Sequence, residues 1–101
     1  MNHIEVKAKL DMVYQQAHKA YEQRFLGEEL EPLLKIVHAA MEDLKPHIKD
    51  EGKHLLAKIE QEVSIMKSRN LFGEQMIPHL MRMKEHSTVL VCFVIEPPKK
   101  W

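Results

Sequence analysis

Seven histidines and seven methionines lie among 101 residues, so the first chemistry to weigh is metal ligation. Spacing decides whether they can act together. Glu51-Gly52-Lys53-His54 has the Glu-x-x-His spacing with which carboxylate-bridged di-iron bundles turn two ligands into a helical core. Such centres take a second copy of the motif and two further carboxylates, and the chain supplies the motif once. His38 with Glu42 and His18 with Glu22 are spaced to share a helix face, where a hydrogen bond on a solvated flank is the ordinary outcome. Glu51, His54, His38 and Glu42 are thus the candidate ligands of an alternative reading, a metal-binding helical bundle. No cofactor is expected.

Nucleophilic chemistry finds less support. Cys92 sits in an apolar run, which predicts a buried, reduced thiol and not a thiolate of lowered pKa. Ser64, Ser68 and Ser87 occupy no strand-turn-helix elbow, and no glycine-rich phosphate loop exists. A phosphotransfer histidine is followed three residues later by Lys and then Gly, whereas His38 is followed by Ala39-Ala40-Met41 and the acidic pair Glu42-Asp43. The chain is therefore expected not to be an enzyme.

A basic group of Lys67, Arg69, Arg82 and Lys84 flanks Gly73 as if around a helix-turn-helix, which makes a DNA-binding dimer the second alternative. The reading helix would then offer Met76, Ile77, Leu80 and Met81 to base edges, and those side chains call for a core or a partner. Nucleic acid is not the expected ligand. Acids and bases balance at fifteen each, without the basic excess such proteins use. The balance is uneven along the chain. Residues 28–51 carry seven acids against Lys35, Lys45 and Lys49, a net of −4, whereas from Lys53 onward eight bases meet five acids, a net of +3. Such asymmetry suits helices packing side by side, or chains meeting in one orientation.

The elements that must position these residues are mostly helical. A stripe of Val6, Leu10, Val13, Ala17, Tyr21 and Phe25 predicts a helix over 3–25, capped by Asn2 with Glu5 reaching back. Ile4, Val6, Ala8 and Leu10 also alternate as a short strand would, and the helix is preferred because the stripe runs on unbroken. Gly27 stops it. A second helix over 28–45 follows from Leu30, Leu33, Leu34, Val37, Ala40, Met41 and Leu44, with Pro32 in its first turn and a break at Pro46. Leu55, Leu56, Ile59, Val63 and Met66 predict a third over 50–70, and Met76, Ile77, Leu80, Met81 and Met83 a fourth over 74–85. No internal repeat stands out.

The stretch 88–95, Thr-Val-Leu-Val-Cys-Phe-Val-Ile, is unlike the rest. Its β-branched and aromatic residues predict a strand with both faces apolar, and the chain offers no second segment to pair with it. The fold expected is thus mostly α, a four-helix bundle-like domain with one C-terminal β-strand that pairs between subunits. Residues 1–96 form that single domain and 97–101 a short tail whose Trp101 could dock on a neighbour.

Interface residues are then Val89, Leu90, Val91, Phe93 and Ile95 of the strand, with Met76, Leu80 and Met83 of the fourth helix. Function is expected to be that of a small regulatory or adaptor protein acting through protein-protein association, as a homodimer and with another protein as partner. A lone cysteine, early charges at Glu5 and Lys7, and no apolar run of about 20 residues predict a cytoplasmic chain without a membrane span.

Overall fold

Asn2 lies in extended backbone, and its side-chain oxygen accepts the Glu5 N–H at 2.8 Å while the Glu5 carboxylate accepts the Asn2 N–H at 3.5 Å. That reciprocal cap opens α1, His3–Glu22, in the computed structural model, which describes residues 2–95. Ile4 to Leu10 are therefore helical. Val6, Leu10, Val13, Ala17 and Ala20 form the buried stripe of α1.

Arg24 takes the left-handed conformation after α1, at φ 57°. A 3-10 turn, Gly27–Leu30, then leads into α2, Glu31–Leu44, with Pro32 in the first turn where a missing N–H costs nothing. At Pro46 the helix gives way to a 3-10 turn, Lys45–His47, and Ile48 is extended. A further 3-10 turn, Asp50–Gly52, opens α3, Lys53–Ser68. The turn Gly73–Met76 opens α4, Ile77–Leu90, and Val91–Phe93 form the last 3-10 turn. Each helix contacts two others in a closed ring, α1 against α2 and α4, and α3 against α2 and α4.

The strand expected over 88–95 is not formed. Thr88, Val89 and Leu90 belong to α4, and only Val94 makes a bridge, antiparallel to Ile48 of the same chain. Lys49 N–H donates to the Phe93 carbonyl and Ile95 N–H to the His47 carbonyl, both at 2.8 Å. Continuing the helix carries Leu90 into the core below Met83, and this burial outweighs the β preference of the local sequence. The unpaired backbone that pointed to a second subunit is thus satisfied within the chain. Cys92, expected to be buried, is exposed. The tail 97–101, with Trp101, lies outside the described residues.

Contrary to the sequence reading, the chain contains a repeat. Gly27 and Gly73, Pro32 and Pro78, Leu44 and Leu90, and Ile48 and Val94 are all 46 positions apart. The same offset carries the turn Gly27–Leu30 onto Gly73–Met76, α2 onto α4, and Lys45–His47 onto Val91–Phe93. Arg24 and Asn70, again a matched pair, share the left-handed conformation, and the two turns carry the same cap. Leu26 N–H donates to Glu29 at 3.2 Å and Phe72 N–H to Gln75 at 3.1 Å. The domain is two helical hairpins of one design, joined turn to turn. Arg24 stacks over the Phe72 ring at 5.6 Å, and the Asn70 side-chain oxygen lies so close to Gly27 that a Cβ there would displace it.

The core is common to both hairpins. Leu10 and Leu56, Val13 and Ile59, Ala17 and Val63, Ala20 and Met66, Leu30 and Met76, and Val37 and Met83 are buried at matching places. Each large side chain so buried contributes about 1.5–3 kcal/mol, which makes this shared stripe the main stabilising term.

Candidate functional site

Because the two hairpins share one backbone plan, each is a control for the other. A feature that the fold itself demands recurs at the matching position; a feature found in one hairpin alone answers to something else. The outward side of α2 carries Glu31, Lys35, Glu42 and Asp43. At the matching places α4 carries Ile77, Met81, Thr88 and Val89. Ile77 is 37% exposed, Met81 58% and Val89 48%. Two of the α2 charges are engaged: Glu31 meets Lys67 at 3.0 Å, and Asp43 meets Lys9 at 3.0 Å. Its partner Lys67 holds the Glu31 carboxyl below its ordinary range through a hydrogen bond and its charge, and Glu31 raises Lys67 by the same contact. At the matching places α4 has no charge to pair, and Met81, Lys84, Glu85, Thr88 and Val89 line a shallow groove of about 370 Å³.

The residues expected at an interface separate under this geometry. Met76, Leu80, Met83 and Leu90 are spent in the chain's own core, and Val91 and Phe93 pack partly against it. Val89 and Ile95 remain exposed. Sequence reasoning missed Met81 as a surface residue, having placed it on the buried stripe; its match to Lys35 was the signal that would have turned it outward.

The four candidate metal ligands are not gathered. Glu51 and His54 are exposed near the start of α3. His38 on α2 meets Glu60 of α3 at 2.6 Å, not Glu42. Among the described residues no group of three or more His, Cys, Asp or Glu stands together in a way that could hold a metal ion. His18 does pair with Glu22, at 2.7 Å, between the rings of Tyr14 and Tyr21.

The basic group is likewise dispersed into pairs. Lys67 is held by Glu31, Arg82 approaches Glu62 at 3.6 Å, and the Lys84 ammonium lies 5.6 Å from the centre of the Tyr14 ring. The hydroxyls of Ser68, Ser87 and Thr88 donate to the carbonyls of Ile65, Met83 and Lys84, so none is bonded to a histidine base. One contact the sequence did not announce joins α3 to α4: Glu62, the one buried polar residue among those described, meets His79 at 2.6 Å.

Comparison with known protein families, with curated proteins and with solved structures finds no match. No described helix is long and apolar enough to cross a membrane.

Proposed function

We propose that this chain is a small non-enzymatic regulator or adaptor that acts by protein-protein association through the outer face of α4, in the first place with a second copy of itself. One observation supports the reading. Where α2 carries Glu31, Lys35 and Asp43, α4 carries the exposed Ile77, Met81 and Val89, so the fold does not demand apolar side chains at these places. Exposed large apolar residues grouped on one face mark a surface that is covered in use.

The repeat also dictates the test. Met81→Lys and Val89→Asp install the residues that α2 carries at the same places, so the double variant folds and its outer face is solvated. Light scattering at micromolar concentration is expected to give a dimer mass for the natural chain and a monomer mass for the variant, with equal helicity by circular dichroism. A natural chain that stays monomeric removes the self-association. The wider reading fails if cross-linking in native extract yields the same products from both proteins.

A further inference from the structure

Two clefts in this domain are related by the 46-residue offset, and they differ in a way the fold does not require. Between α2 and α3, a space of only about 130 Å³ is lined by Met41 and Lys45, and its charges cancel, Glu42 and Glu60 against Lys45 and Lys53. Between α1 and α4 the matching cleft measures about 330 Å³. Ser87 stands where the first has Met41, and Val91 where it has Lys45, so the filling side chains are gone. Tyr14 replaces Glu60 and Thr88 replaces Glu42, so two acids are gone as well; Asp11 is the one carboxylate of the lining, set against Lys7 and Lys84, with His3 also at the wall.

We propose that the cleft between α1 and α4 binds a small organic anion, a carboxylate carried on a short apolar body. Leu10, Val91 and the Tyr14 ring line the space for the body, a volume within the range of small-molecule sites. Lys7 and Lys84 form no ion pair among the described residues, and Lys84 is held over Tyr14 by its charge, in position to turn to a carboxylate. Ser87 and Thr88 give their protons to the carbonyls of Met83 and Lys84 at 2.8 and 3.0 Å, so the charge offered to an anion comes from the ammonium groups. Lys84 and Thr88 border both this cleft and the groove on the outer face of α4, whereas Leu10, Tyr14, Ser87 and Val91 belong to the cleft alone, so shifts of those four report on it separately.

Octanoate, added to the full chain labelled with ¹⁵N, is the probe. Saturable shifts of the Leu10, Tyr14, Ser87 and Val91 amides are expected, with 1-octanol and inorganic phosphate each binding at least about tenfold more weakly because each lacks one half of the recognised chemistry. Ser87→Met, the residue the first hairpin holds at this place, is expected to abolish the shifts. Lys84→Gln, an exposed change that leaves the core untouched, weakens binding about tenfold by removing one charge-assisted contact. The proposal is overturned by absence of saturation at about 10 mM octanoate, where even a millimolar ligand is mostly bound. It is also overturned if octanol or phosphate binds as tightly as octanoate, or if octanoate binds both variants as it binds the natural chain.

Discussion

Ile48 and Val94 face each other across an antiparallel bridge, and they are the same position of the two hairpins. A residue meeting its own equivalent is what a twofold relation between repeats produces, as at the dyad of a homodimer. Both side chains are buried, 1% and 5% exposed, at the end of the bundle away from the Gly27 and Gly73 turns. The bridge closes one end as the turns close the other.

Ile48→Ala should therefore destabilise the domain by about 2–5 kcal/mol, the usual cost of emptying a buried isoleucine site. Urea unfolding measures it. A loss below about 0.5 kcal/mol, the size of an ordinary surface change, would mean that the bridge only rests on a domain already closed.

Gly52 lies under Phe93, and a Cβ placed on it would stand 2.5 Å from the Phe93 Cβ. Gly52→Ala is expected to cost about 1–3 kcal/mol by overpacking. Phe93→Ala alone also destabilises, by exposing what the ring covers. Their combination should cost less than the sum, because the added methyl enters the space that the ring leaves. Strict additivity in a double-mutant cycle would break the argument.

Much of this architecture was legible in the sequence. Asn2 and Glu5 announced the first cap, the apolar stripes gave all four helices, and Pro46 marked the break. The C-terminal octet misled because its faces are apolar on both sides for two different reasons: Leu90 and Val94 complete the core, whereas Val89 belongs to the outer face of α4. Read locally, that mixture looks like a doubly buried strand. The repeat escaped notice because what it conserves is conformation more than residue type. Arg24 and Asn70 share a left-handed turn, and Glu29 and Gln75 share a cap, without sharing a side chain. Phe25-Leu26-Gly27-Glu28 beside Leu71-Phe72-Gly73-Glu74 was the visible trace. The α1/α4 cleft could not be read at all, since Tyr14, Lys84 and Ser87 meet only through packing of the first helix on the last.

The Glu31 and Lys67 pair should set a pH window for the contact between α2 and α3. Glu31 is depressed, so its contribution is present above the ordinary carboxylate range and is lost as pH falls through the depressed value. Lys67 is raised, so its contribution is present below the ordinary lysine range and is lost as pH rises through the raised value. The tether thus holds across neutral pH. In Lys67→Met, the Glu31 carboxyl followed by NMR is expected to titrate higher, near an unpaired glutamate; an unmoved titration would show that another group depresses it.

Glu62 and His79 make the sharpest use of the repeat, since the first hairpin holds Gln16 and Leu33 at the same two places. Their side chains are 11% and 12% exposed, and the carboxylate also draws Arg82 to 3.6 Å. Removing Glu62 leaves the His79 ring without its partner in a poorly solvated place, so Glu62→Ala should cost about 1–3 kcal/mol. Replacing both groups removes the charge and its partner together. The variant Glu62→Gln with His79→Leu copies the first hairpin, and its stability should fall within about 1 kcal/mol of the natural chain, since replacing both partners of a buried polar contact by groups that pack as well is often nearly neutral. Thermal and urea unfolding of the single and double variants test this directly. If the double variant is as unstable as Glu62→Ala, the pair is specific to the second hairpin and a leucine side chain cannot pack in the place of His79; if both are harmless, the contact adds nothing measurable to the join between α3 and α4.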